Sequence, residues 1–308
     1  MKKHWKGIVI WILVILVAAD FGGAYYLFNF AFKSGSGYSA RNNDRPLTKD
    51  ERWAQKAPQQ VWQQVTQDKD HLHLKARYYP AAHKTDKTML VAHGYGDNSL
   101  TLGSYIKMFH QAGYNVLAPD DRGSGRSGGH YLGFGWQDRN DMQQWVRQIL
   151  CKNGNQTQIG LFGVSMGAAT VMYYLGLQVP HQVKFVVADC GYASIKGELD
   201  HELKALFNLP SFPLVATANL YTKMLAHYDF YQADTAKTLK HNKLPLFIIH
   251  GTKDTFVPTK NARINYRNTH GPKKLWLVKG ATHAQSYETQ PEQYRHKVLA
   301  WAQKYFAK

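Results

Sequence analysis

The run Ile159-Gly160-Leu161-Phe162-Gly163-Val164-Ser165-Met166-Gly167-Ala168-Ala169-Thr170-Val171 decides how this chain is read. It passes from a short apolar strand, through a serine with a glycine two residues to either side, into a helix of small and apolar residues. So sharp a strand-to-helix turn needs a bare Cα at both glycines, because a Cβ there meets neighbouring backbone. Ser165 is pushed outward, and the first N–H groups of the helix, unpartnered within it, point at the same spot. A second match to the pattern, Gly125-Arg126-Ser127-Gly128-Gly129, has neither a strand before it nor a helix after it, so Ser127 reads as a loop residue.

Around this stretch the pattern alternates. Strands are predicted at 88–92, 115–118, 158–162, 184–188, 246–249 and 274–278, with helices at 100–111, 139–150, 167–177, 260–267 and 291–305. Uninterrupted apolar strands such as Phe185-Val186-Val187-Ala188 require a sheet covered on both faces. Residues 71–78 alternate in period two, as an antiparallel strand does. Thr48-Lys49-Asp50-Glu51 is a capping-box pattern opening a short helix, which Pro58 interrupts or restarts before Val61-Trp62. The expected class is α/β: a mostly parallel, doubly wound sheet with an antiparallel N-terminal start. Residues 192–243 carry no strand signal and follow a strand's carboxyl end. They read as a small helical cap over the edge where open α/β sheets bind ligands.

Residues 1–33 form a membrane signal: Lys2, Lys3 and Lys6 precede residues 7–32, in which Asp20 is the only charge. Two readings compete. Residues 8–17 can be the apolar core of a secretory signal, with Val17-Ala18-Ala19 as its cleavage site, or the whole run can be a retained spanning helix. With Asp20 near the middle the span loses about 2.5–3.5 kcal/mol, but each Leu, Ile, Val or Phe returns about 0.3–0.6. Cleavage after Ala19 leaves an apolar tail, residues 20–28, with no evident core to join, which favours retention. The lysines place the N-terminus inside and the globular part on the extracytoplasmic face. The expected organisation is a single-pass membrane anchor at 1–33, a linker at 34–47, and a domain at 48–308. Secretion after cleavage is the alternative.

Of 308 residues 44% are apolar and only 19% charged, which excludes a disordered chain. The net charge of +17 suits an anionic surface such as a membrane, or is merely a basic surface. The lysines are scattered and no nucleic-acid motif is present, so nucleic acid is not an expected partner. Cys151 and Cys190 are the only cysteines. They fall at opposite edges of the expected sheet, on the order of 15 Å apart, too far for a disulfide. Both are expected as free thiols serving as small buried hydrophobes. No His-Glu-x-x-His or other ligand set appears, so neither metal nor cofactor is expected.

A serine hydroxyl needs a base, and the base needs a group to hold its ring. Among fifteen histidines, His283 stands out on the loop between the last strand and the final helix. His71, His73, His241 and His296 read as surface residues. Asp254 follows the strand at 246–249, giving the chain order Ser165, Asp254, His283 of a nucleophile-elbow hydrolase. Asp189, at the end of the strand before, is an alternative acid. Asp120 and Arg122 read as loop braces, His93 as either a loop brace or a structural histidine, and nothing beside Cys190 lowers its pKa.

These residues resemble the α/β-hydrolase superfamily, specifically its membrane-anchored or secreted acyl esterases, which are similar to monoacylglycerol lipases and to prolyl-aminopeptidase-like hydrolases. The resemblance spans residues 88–306 apart from the cap. It includes His93-Gly94-Tyr95-Gly96 and Pro119-Asp120-Asp121-Arg122-Gly123-Ser124-Gly125-Arg126-Ser127, the elbow, and the Asp254 and His283 loops. Ser124 departs from the histidine common in relatives, an alteration expected to stay within its loop. The resemblance implies an oxyanion hole made by the backbone N–H groups of Tyr95 and Met166. It implies a serine carboxylesterase acting on small-molecule esters, with an aminopeptidase or amidase, or a non-catalytic binding module, as rivals.

Overall fold

The computed structural model describes residues 4–36 and 45–307; Lys2, Lys3 and residues 37–44 of the expected linker lie outside them. The chain opens with α1 (His4–Phe32) and α2 (Lys49–Lys56). It continues through β1 (Gln60–Val65), β2 (His73–Tyr79), β3 (Lys87–Ala92), α3 (Gly103–Gln111), β4 (Asn115–Pro119), α4 (Asp138–Asn153), β5 (Gln158–Val164), α5 (Met166–Tyr174) and β6 (Val183–Asp189). Then come α6 (Ile195–Phe207), α7 (Leu214–Tyr221), α8 (Thr235–Thr238), β7 (Leu246–Gly251), α9 (Lys260–Asn268), β8 (Lys273–Val278), α10 (Ser286–Thr289) and α11 (Pro291–Phe306).

The eight strands form one sheet in the order β1-β2-β4-β3-β5-β6-β7-β8. β2 runs antiparallel to both of its neighbours, and the remaining pairs are parallel. Every residue of β4 and β7 is buried, as a sheet covered on both faces demands. Met108 and Phe109 of α3 and Val298 and Tyr294 of α11 pack on one face. Met142, Trp145 and Val146 of α4 and Val171 and Met172 of α5 pack on the other. The order reverses at β3, whose following strand lies to one side while β5 lies to the other. Crevices of this kind hold ligands in open α/β sheets, at the carboxyl ends of the strands.

Two elements differ from the sequence reading. The segment after Pro58 is strand β1 rather than a restarted helix. It is an edge strand in which Trp62 alone is buried, and Val61 and Val65 face outward, so its apolar residues do not mark the inner face. Thr48 does cap α2: its hydroxyl accepts from Glu51 N while Glu51 accepts from Thr48 N. Cys151 is exposed on α4 instead of buried, whereas Cys190 is buried, and both are free.

The larger difference concerns α1. Sequence alone offers residues 20–28 no core to join, yet Ala24, Phe28 and Phe32 are fully or almost fully buried. Phe32 lies 4.6 Å from the Phe134 ring and 5.9 Å from Phe230. Gly23 allows the close crossing with α7, since a Cβ there would come 3.3 Å from Leu214 Cδ2. Asp20, expected within the apolar span, instead accepts a 2.6 Å hydrogen bond from Thr217 Oγ1 at the junction with the domain. The half of α1 before it is bare, with Trp5 and the residues from Ile8 to Val17 exposed. One helix thus has two environments. Ala24, Phe28 and Phe32 of its second half pack against the folded domain.

Candidate active site

Ser165 ends the turn between β5 and α5 with φ 54° and ψ −116°, a left-handed conformation that a non-glycine residue adopts at a cost. The flanking glycines explain how it is held. A Cβ at Gly163 would lie 2.2 Å from Gly167 O, and one at Gly167 would lie 2.2 Å from Ala92 O. Strand, helix and the end of β3 therefore meet backbone to backbone. Met166 is the first residue of α5, so its N–H has no acceptor within the helix.

The end of β3 brings the second loop alongside. A Cβ at Gly94 would sit 3.4 Å from Ser165 Cβ, which places the His93–Tyr95 turn against the serine. His93 fixes that turn: its Nε2 accepts from Asp121 N at 3.0 Å, so Nδ1 carries the proton and donates to Gly94 O at 2.8 Å. Asp120 accepts from Ser99 N and Arg126 N, and Arg122 grips Asp141 through two hydrogen bonds of 2.6 and 2.8 Å. These groups brace loops. Ser127 does likewise, donating to Asp120 O and accepting from Lys75 N.

His283, on the loop after β8, joins the serine to a carboxylate. Its Nε2 lies 2.9 Å from Ser165 Oγ and its Nδ1 lies 2.8 Å from Asp254 Oδ2. Asp254 follows β7, and its other oxygen accepts from the backbone N–H groups of Phe256 and Val257 at 3.1 and 2.9 Å. Burial pushes the Asp254 carboxyl upward, but hydrogen bonds from His250 and His283 outweigh it and bring it down to about 2. An ionised Asp254 requires the proton of His283 to sit on Nδ1, leaving Nε2 free to accept from the serine. His250 is the residue the sequence reading missed. Its fully buried ring donates from Nε2 to Val257 O at 2.8 Å, with Asp254 Oδ2 at 3.2 Å. Four-residue spacing at the end of one strand was its only signal.

Asp189 is placed elsewhere. It accepts from Tyr294 Oη at 2.8 Å and Ser286 Oγ at 3.2 Å, and burial raises its carboxyl. Cys190 follows it, and burial raises its thiol well above the ordinary range. The ligand atoms of Cys190, Asp254 and His283 lie within 4.8 Å of one another, but both nitrogens of His283 are already engaged.

A pocket opens over Ser165 and is walled by Tyr95, Phe134, Tyr192, Leu199 and Phe256. Glu198 and Glu202 of α6 also reach it. Glu198 is almost fully buried and, among the described residues, its Oε1 has no hydrogen-bond partner. Burial, with Glu202 and Asp254 nearby, raises it well above the usual carboxylate range. The α1 residues Phe30 and Ala31 also line the pocket, and nothing in the sequence pointed to them.

A family model described as serine aminopeptidase, S33, matches residues 83–210. The uncharacterised protein YqkD of Bacillus subtilis is 31% identical over 221 residues, covering 72% of this chain and 72% of its own. YfhR of Escherichia coli is 22% identical over 228 residues, 71% of this chain and 72% of its own. Among solved structures, an esterase of Pyrococcus furiosus superposes with a TM-score of 0.67 at 22% identity, over 85% of this chain and 96% of that one. A monoacylglycerol lipase of Paleococcus ferrophilus superposes with a TM-score of 0.55 at 20% identity, over 74% of this chain and 97% of that one. With this sheet order, a glycine-locked serine turn after β5, and a relative this similar across most of its length, the chain belongs to the α/β-hydrolase superfamily.

Proposed function

We propose that the chain is a serine carboxylesterase working through an acyl-enzyme. Ser165 Oγ attacks the acyl carbon while His283 Nε2 takes its proton, and Asp254 holds the Nδ1–H and stabilises the imidazolium that forms. The N–H groups of Tyr95 and Met166 donate to the oxyanion, each worth about 3 kcal/mol of barrier in serine hydrolases. His283 then protonates the leaving alcohol, and a water activated by the same nitrogen releases the acid and restores Ser165. The observation that carries this reading is the unbroken line of 2.9 and 2.8 Å hydrogen bonds from Ser165 through His283 to Asp254, beneath an apolar pocket. The folds of the esterase and lipase neighbours agree with it.

A second reading, an aminopeptidase using the same three residues, is favoured by Glu198 and Glu202 in the pocket wall and by the description of the family model. The two glutamates stand in a wall that is otherwise mostly apolar, with Phe30, Ala31, Leu199, Leu206, Phe256 and Val257 around them, and this tips the balance toward esters. Comparing turnover of p-nitrophenyl acyl esters with aminoacyl p-nitroanilides decides between them. Ester turnover at least a hundredfold faster is expected, and the reverse ratio would replace the ester reading. A non-catalytic binding module would cleave neither.

We further infer that α1 anchors the enzyme in a membrane with the hydrolase domain on the extracytoplasmic face; secretion after cleavage at Ala19 is the alternative. The support is a largely apolar helix, Trp5–Phe32, long enough to cross a membrane and with a bare outer half. Residues 5–19 rise about 22 Å at 1.5 Å per residue, so the span needs a locally thinned bilayer.

A further inference from the structure

The pocket over Ser165 does not end at the serine. A second pocket adjoins it, and the two share Phe30, Ala31, Leu199, Glu202 and Leu206 in their walls. The second runs on between Leu27 of α1, Leu203 and Phe207 of α6, and Leu214 and Ala218 of α7. These spacings are helical. Leu27 and Ala31, Leu199 and Leu203, and Leu214 and Ala218 each stand four apart, so three helices each turn one apolar stripe toward a common gap. Polar groups are confined to the serine end, where Glu202 stands.

Three hydrogen bonds keep α1 in register with the site. Tyr95 Oη donates to Ala31 O at 2.7 Å, tying the turn beside Ser165 to the last turns of α1. Leu132 N donates to Phe32 O at 2.8 Å, and Thr217 holds Asp20 twelve residues earlier. The outer rim is apolar too. Leu206, which walls both pockets, is 43% exposed, and Leu209 and Phe212 beyond it are 40% and 80% exposed. That rim and the bare half of α1 are apolar surfaces of the same protein, which suits an amphiphile presented from lipid.

We propose that Leu27, Phe30 and Ala31 of α1 form one wall of the acyl-binding site, and that the gap between α1, α6 and α7 takes the hydrocarbon chain of a long-chain lipid ester. The helix that would anchor the enzyme thereby also measures its substrate. This assignment rests on the ester-hydrolase reading and adds the acyl class and the residues that select it. Cleavage at Ala19 would leave the wall in place, since residues 27–31 remain.

The test is kcat/KM of the full-length protein in detergent micelles for p-nitrophenyl butyrate and p-nitrophenyl dodecanoate, in wild type and two filling variants. Ala218→Trp blocks the gap from α7; Leu206→Trp narrows it from a half-exposed position that tolerates a larger side chain. The wild type is expected to prefer dodecanoate, and each variant to lower the dodecanoate-to-butyrate ratio at least tenfold. A ratio within twofold of wild type in both variants, or equal loss on both esters, would overturn the assignment while leaving the esterase reading intact. Failure of the wild type on esters of every length would remove both.

Discussion

Asp254 and His283 face each other across 2.8 Å at the ends of neighbouring loops, while Asp189, one strand away, is turned into the core toward Tyr294 and Ser286. Two carboxylates at adjacent strand ends thus have separate partners. Asp254→Asn is expected to lower kcat for p-nitrophenyl butyrate by about 10³–10⁴, as loss of the imidazole-orienting acid does elsewhere. Asp189→Asn removes an ionisable group from two hydrogen bonds and is expected to cost about 1–3 kcal/mol of stability, with kcat within tenfold of wild type. Steady-state kinetics beside denaturant unfolding separates the two. A larger kcat loss for Asp189→Asn would move the acid's role to Asp189.

The serine turn depends on bare Cα atoms rather than on special dihedrals at the glycines. Gly163→Ala and Gly167→Ala each drive a methyl to 2.2 Å from a backbone oxygen. Backbone has to shift, so each is expected to cost at least about 1–3 kcal/mol and to displace Ser165 from His283. Urea melts and ester turnover measure both effects. Wild-type stability in either variant would mean that the strand and helix are less tightly apposed than described.

Glu198 gives a pH signature. Its folded-state carboxyl lies well above its ordinary value through burial, aided by Glu202 and Asp254. A raised folded value stabilises the protein fully below the unfolded carboxylate pKa, and that stability is lost as pH rises through the folded value. Glu198→Gln has no such group, so its Tm relative to wild type is expected to climb as pH rises above the ordinary carboxylate range. A difference independent of pH would contradict the burial of an unpaired carboxyl.

Phe32 tests the claim that the end of α1 belongs to the domain. Its ring is 1% exposed among Phe28, Phe134 and Phe230. Phe32→Ala is expected to cost about 3–5 kcal/mol, in the full-length protein and equally in one beginning at Asp20. Melts unaffected by the substitution would detach α1 from the fold.

How much of this was legible in the sequence follows from what each residue depends on. β3 to β7 were readable because strands buried on both faces are written in uninterrupted apolar residues, as in Leu246-Phe247-Ile248-Ile249, and the partly buried edge strand β8 because Leu275-Trp276-Leu277-Val278 is an apolar run. The juxtaposition of Ser165, Asp254 and His283 could be expected because each lies just past a strand's carboxyl end in one sheet. β1 was not, because an edge strand with Val61 and Val65 facing outward carries no inward pattern. The packing of Phe28 and Phe32 was hidden for another reason: an apolar helix reads the same whether lipid or protein covers it. The roles of Glu198 and His250 depend on contacts between segments, which composition does not record.

The central claim is that Ser165 is the nucleophile activated by His283. Its most direct test is a fluorophosphonate probe followed by peptide mass spectrometry, on wild type, Ser165→Ala and His283→Ala. The account predicts one phosphonyl adduct, on the peptide carrying Ser165, absent from Ser165→Ala and at least a hundredfold slower to form in His283→Ala. No adduct in the wild type, or an adduct on Ser127 or another serine that persists in Ser165→Ala, would contradict it.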